Sequence, residues 1–118
     1  MKTVEALLKA LEVDSTSIEF ADVMQVINDS YTFTPVRFTC GEAVNESGSN
    51  EGSCKILAFG RIHDLSQAQT LALFGRFYRE DVSGHPDGTD HANIRNFMLC
   101  GWSGVSFESE PLAIRTSL

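Results

Sequence analysis

Between Gly88 and Met98 the chain reads Gly-Thr-Asp-His-Ala-Asn-Ile-Arg-Asn-Phe-Met, closed by Gly101-Trp102. His91, Asn93, Arg95 and Asn96 lie within two helical turns, beside Ile94, Phe97 and Met98, which need a core to pack against. A histidine has the proton affinity for acid–base work near neutrality, and an arginine fork suits a carboxylate or phosphate. The same residues can equally serve as a hydrogen-bonded brace. On that reading, His91 is tied to a carboxylate or a backbone carbonyl, and Arg95 pairs with Asp81 or Asp90.

Three other groups carry chemistry. Gly48-Ser-Asn-Glu-Gly52-Ser-Cys-Lys55 misses the spacing of a phosphate loop, because Ser53 and Cys54 stand where the second glycine and the lysine belong. Gly52 leading into a helix start, with Lys55 close behind, still offers an anion site, and Cys54 there is a candidate nucleophile. Glu80 and Asp81 sit at the expected end of a helix, where the dipole disfavours negative charge. Arg79, His85 and Arg95 are their available partners, and Arg79 joins the candidate ligand-binding set. Asp81, His85, Asp87, Asp90 and His91 match neither zinc nor calcium-loop spacing, so no metal site is read. No motif for a cofactor is present, and no Ser/His/Asp signature stands out.

The elements that must position these groups follow from periodicity and caps. Thr3 caps a helix over 4–12 with Val4, Leu7, Leu8 and Leu11 inward. Thr16-Ser17-Ile18-Glu19 has capping-box form, opening a helix with Phe20, Val23, Met24 and Ile27 on one face. Residues 33–40 read as a strand with Pro35 at an edge, and 41–52 as a long loop. Ser53 caps a helix from Cys54 to His63, although Ile56–Phe59 also suits a buried strand. Ser66-Gln67-Ala68-Gln69 opens a long helix whose stripe is Leu71, Phe74, Tyr78 and Val82, stopped at Gly84 and Pro86. Thr89 or Asp90 caps the 88–98 helix, and Gly101 ends it with Trp102 folded back toward Phe97. Val105 and Phe107 suggest a strand against 33–39, and the chain after about 108 looks loosely held. The expected architecture is one α+β domain spanning 1–118, with about five helices on a small sheet.

Composition narrows the function. The 118 residues carry a net charge of −7, which argues against nucleic acid and anionic membranes as partners. Residues 1–54 hold three basic and nine acidic side chains, whereas 55–118 hold six and seven, so an anion would sit on the later part. No apolar run exceeds four residues, and the first residues lack the apolar core of a secretory signal. Cys40, Cys54 and Cys100 are widely spaced and odd in number, as reduced cytoplasmic thiols are.

Phe33-Thr-Pro35, Gly52-Ser-Cys-Lys55, Thr70-Leu-Ala-Leu-Phe-Gly75, Tyr78-Arg-Glu-Asp-Val82 and the Gly88–Met98 segment together resemble the HopJ type III effector family, from about residue 3 to 108. The chain departs from that family's pattern at Cys40, where an asparagine is usual, and at Phe77, where tyrosine is common. The resemblance implies a bacterial protein of no established reaction, in a family named for a virulence protein injected through a type III apparatus. It supplies no catalytic residues. Two readings follow: an effector-like protein that binds a protein partner or a small anionic ligand, or a small cytoplasmic enzyme or housekeeping ligand-binding domain with a pocket at the 88–98 helix. For the second, Cys54, Lys55, Arg79, His91, Asn93, Arg95 and Asn96 would have to share that pocket.

Overall fold

The computed structural model describes residues 3–114. The Thr3 hydroxyl accepts from the Ala6 N–H at 3.1 Å, and α1 (Val4–Val13) turns Leu7 and Leu11 inward. The next cap is not the Thr16 box. Asp14 accepts from the Thr16 N–H at 3.2 Å and from its hydroxyl at 2.5 Å, which folds Ser15–Ser17 into a 3₁₀ turn. A carboxylate outcompetes a hydroxyl as acceptor. Glu19 then stands before α2 (Phe20–Ser30) with no capping bond, and instead pairs with Arg76 and Arg79, each at 3.3 Å.

Residues 31–45 supply three short strands, β1 (Tyr31–Phe33), β2 (Phe38–Cys40) and β3 (Ala43–Asn45). Residues 43–45 of the expected 41–52 loop are therefore the second arm of a hairpin, turned at Gly41 with φ +59°. α3 (Glu51–Ile62) begins before Ser53, and buries Ile56, Leu57, Ala58 and Phe59 in succession. A helix covered on all sides shows an unbroken apolar run in place of a stripe, which is why the strand alternative looked equal.

The Ser66 box forms as written: the Gln69 N–H reaches the Ser66 hydroxyl at 3.1 Å, and the Ser66 N–H reaches Gln69 Oε1 at 3.0 Å. The long helix beyond it does not form. α4 (Gln67–Ala72) ends, Gly75 takes φ +62°, and Phe77–Val82 continue as a π-helical segment, its widened turn closed by Ser83 N–H on the Tyr78 carbonyl at 3.0 Å. The break has a steric cause. A Cβ on Gly75 would lie 2.8 Å from the Phe20 backbone nitrogen, so the chain swerves where the start of α2 crosses it. Leu71, Phe74 and Val82 remain buried.

α5 (Ala92–Cys100) begins after His91, not after Thr89 or Asp90, and buries Asn93, Ile94 and Phe97 while leaving Met98 exposed. Gly101, at φ +61°, stops it, and Trp102 sets its ring edge on Phe97 with centroids 5.0 Å apart, as the stop signal predicts. Two further strands follow, β4 (Val105–Phe107) and β5 (Leu112–Ile114). The expected single sheet is two antiparallel sheets: β3-β2-β4, with Phe38 opposite Phe107, and β1-β5, with Tyr31 opposite Ile114. Pro35, with no N–H to donate, lies between β1 and β2. The chain after 108, read as loose, includes β5 with Leu112 buried; residues 115–118 lie outside the described residues.

At the end of α3 the Tyr31 hydroxyl meets His63 Nε2 at 2.6 Å, and the Phe59 ring lies 4.5 Å from the imidazole. Burial lowers the His63 pKa, so the native state resists a proton that the unfolded chain accepts near pH 6.5. Stability is therefore full above that pH and falls as pH drops below it, until the folded-state pKa is passed. Urea unfolding at intervals from about pH 7.5 to 5 should show this slope, and His63→Gln should flatten it. Two of the four positive-φ glycines among the described residues, Gly75 and Gly48, give a steric comparison. Gly75→Ala should cost about 2 kcal/mol or more, combining positive φ with a backbone clash, and Gly48→Ala, with open space around it, about 1 kcal/mol. Equal losses in denaturant midpoints would remove the crossing of α2 as the cause.

Candidate functional site

α3 and α5 start in the same unusual way. A typical N-cap is extended and closes the first turn with a side-chain oxygen. Here Asn50 (φ 51°) and His91 (φ 52°) are both left-handed, and neither makes a side-chain cap bond. Their carbonyls take the Cys54 and Arg95 N–H groups, each at 3.1 Å. The N–H groups of residues 51–53 and 92–94 precede the first intrahelical bond at each start.

A chain of amides holds the two starts together. Asn50 Nδ2 donates to Asn45 Oδ1 at 2.7 Å, and Asn45 and Asn93 exchange bonds in both directions at 2.9 Å. Asn45 and Asn93 are 3% and 5% exposed. Asn45 also donates to the Phe38 carbonyl at 3.4 Å, and the Cys40 thiol donates to the Asn93 carbonyl at 3.3 Å, which fastens the β2–β3 hairpin to the pair. Asn45 and Asn50 were not legible as functional, because they fall in a stretch whose composition reads as loop. The one signal, for Asn50, is that asparagine tolerates the left-handed region it occupies.

Both helix starts open on one cleft of about 310 Å³, walled by Phe20, Phe74 and Phe77 and floored by Gly52, Ser53 and Asn93. The Phe77 ring lies edge-on to Phe20 at 5.0 Å and beside the His91 ring at 5.2 Å. A Cβ on Gly52 would come within 2.7 Å of the tip of Phe20, so glycine there lets the aromatic ring lean over the start of α3. His91 Nε2 faces Asp81 Oδ2 at 3.2 Å and Asp90 Oδ2 at 3.8 Å. His91 precedes α5 as its left-handed N-cap and does not lie within the helical turns expected for it.

The other candidate residues look elsewhere. Lys55 donates to Asn28 Oδ1 at 3.0 Å, with its ammonium 4.8 Å over the Phe33 ring. Arg79 donates to the Ile18 carbonyl at 2.7 Å and to Glu19 at 3.3 Å. Arg95 donates to the Asp90 carbonyl and carboxylate, both at 2.6 Å, and to the His85 carbonyl at 2.8 Å. That bond to Arg95 is the main reason Asp90 titrates below the usual carboxylate range. Asn96 accepts from the Glu42 N–H at 3.3 Å and donates to the Ala92 carbonyl at 2.8 Å. Glu80 pairs with Arg76 at 3.8 Å. Of the seven candidates the cleft takes His91 and Asn93. Cys54 is buried, and that burial pushes its thiol up to about 11, which leaves almost no thiolate at neutral pH. Among the described residues no three His, Cys, Asp or Glu side chains are grouped to hold a metal ion, and no helix is long and apolar enough to cross a membrane.

The comparisons with known proteins agree with this architecture. A family model described as HopJ type III effector protein matches residues 4–112, and the chain belongs to that family. It is also similar to a solved structure, the crystal structure of unknown function protein VPA0580, at 50% identity and a TM-score of 0.93 over 95% of this chain and 93% of that one. No curated protein matches. The fold is thus shared with a protein of unknown function, and neither likeness brings an activity with it.

The thiols make the burial argument measurable. Cys40, like Cys54, is buried with its thiol raised to about 11, whereas Cys100 is exposed. A chromogenic disulfide reagent at about pH 8 should titrate one fast thiol in native protein and three after unfolding, and Cys100→Ser should remove the fast phase. A fast phase that survives in Cys100→Ser and is lost in Cys54→Ser would restore Cys54 as a nucleophile.

Proposed function

We propose that this protein is a binding domain that takes a small organic anion in the cleft between the starts of α3 and α5. The observation that carries this reading is the convergence there of two helix N-termini, neither closed by a side-chain cap. Each contributes free N–H donors and the positive end of a dipole, and together they suit one carboxylate better than either would alone. The Ser53 hydroxyl adds a donor on the same floor.

The rest of the cleft restricts the ligand. Phe20, Phe74 and Phe77 wall it with apolar surface, which suits a carboxylate on a short apolar or aromatic body more than a bare phosphate. Asp81 and Asp90 lie within 4 Å of His91, and the chain is strongly acidic, so a polyanion is disfavoured. A thiol as shielded as Cys54 makes covalent chemistry unnecessary to the reading. Three unpaired cysteines support synthesis and residence in a reducing cytoplasm. Export through a type III apparatus is the route that family membership supports.

Thermal unfolding with acetate, benzoate and inorganic phosphate tests the ligand class. Benzoate should raise Tm with the logarithm of its concentration above Kd, reaching about 2.7 kcal/mol of stabilisation at a hundredfold excess over Kd, and should exceed the other two. Ser53→Asp should stabilise the free protein by about 0.5 kcal/mol, by placing its own carboxylate in the first turn of α3, and should abolish the response. If none of the three anions raises Tm beyond an ionic-strength control, or if Ser53→Asp responds to benzoate as wild type does, the cleft is not an anion site.

A further inference from the structure

A second concave surface lies on the other side of α5. Arg95, Met98 and Leu99 share one helical face, and with Val82, Ser83, Pro86 and Gly88 they enclose a groove of about 500 Å³. Its lining is mainly apolar. Val82 is buried, Met98 is 39% exposed and Leu99 is 85% exposed. Adjacent exposed apolar side chains in a preformed groove mark a contact surface more often than chance exposure does.

The groove is held in shape by Arg95. Its guanidinium is tied to the carbonyls of His85 and Asp90 and to the Asp90 carboxylate, and only 15% of the side chain is exposed. A Cβ on Gly88 would lie 2.5 Å from Nη2, so the backbone lies directly on the arginine. The 85–90 connection is thereby pinned to α5, and the wall needs no reorganisation to receive a partner.

Charge decides what kind of partner fits. Of the acids near the groove in sequence, Glu80 is paired with Arg76, Asp81 with His91 and Asp90 with Arg95, which leaves Asp87 as the uncompensated charge beside it. Asp87 has no ion pair among the described residues and stands next to Pro86 and Gly88 on the rim. A second copy of this chain would bring the same acidic rim and the same net charge of −7, and the two would repel. We propose that this groove docks an amphipathic basic helix of another protein, with apolar residues on Met98 and Leu99 and lysines or arginines toward Asp87.

The test uses designed peptides of about eighteen residues and fluorescence anisotropy. One has leucine on one helical face and lysine on the other, the second replaces lysine by glutamate, and the third replaces leucine by glutamine. The Leu/Lys peptide should bind saturably at one to one, and the other two should bind at least about tenfold more weakly. Met98→Ser with Leu99→Ser should weaken binding at least about tenfold, and Asp87→Lys should weaken it at low salt more than at high. Should the double variant unfold on heating earlier than wild type, amide shifts of labelled wild-type protein replace it, and these should map to Val82, Gly88, Met98 and Leu99. The proposal is overturned if the Leu/Lys peptide does not saturate, if the folded double variant binds it as well as wild type, if the shifts map elsewhere, or if sedimentation shows dimers that Leu99→Ser dissolves.

Discussion

The reciprocal amide bonds between Asn45 and Asn93 are the contact on which the placement of both helix starts depends. Two carboxamides in a dry site exchange bonds in both directions only in one relative orientation. Leaving either unpaired would cost about 1–3 kcal/mol. Because Asn45 ends β3 and Asn93 lies in the first turn of α5, that requirement fixes a strand against a helix. Asn50 extends the constraint to α3 by donating to the same Asn45 oxygen that Asn93 uses. The Asn50 side chain, which might have capped α3, is thus spent on this chain of amides, the His91 ring before α5 turns to Asp81 and Asp90, and both uncapped helix starts border the cleft.

This arrangement explains which parts of the molecule could be read in advance. α1, the Ser66 box and the Gly101–Trp102 stop depend on residues within a few positions of one another, and each formed as its local pattern requires. The misreadings come mostly from contacts distant in sequence, the Asp14 cap on Thr16 being a local exception. Gly75 looks like a tolerable interruption of a helix until Phe20 is seen to cross it. Thr16–Glu19 looks like a capping box until Asp14 takes the Thr16 N–H. The α+β class was legible, but division of the strands into two sheets was not, because β1 pairs with residues some eighty positions later.

The candidate site was half legible for the same reason. Residue type drew attention to His91 and Asn93, which do border the cleft, and to Lys55, Arg79, Arg95 and Asn96, which face other partners. Cations attract notice as possible anion clamps, yet no Lys or Arg lines the cleft; the donors of the proposed anion site are backbone groups, which leave no mark in a list of residue types. Arg95 instead serves as a strut, and the connection it holds separates the two concave surfaces of α5.

The pairing of β1 with β5 and of β2 with β4 bears on how the chain is made. Synthesis proceeds from the N-terminus, at about 5–20 residues per second, and β1 and β2 emerge long before residues 105–114, which supply their partners. For several seconds Tyr31–Phe33 has no ladder partner and Phe38–Cys40 only the β3 side of its own, and strand edges of that kind invite association. Closing contacts across so long a stretch is slow. The domain cannot lock until residue 114 has left the ribosome, so its vulnerable period is set by translation speed as well as by its final stability.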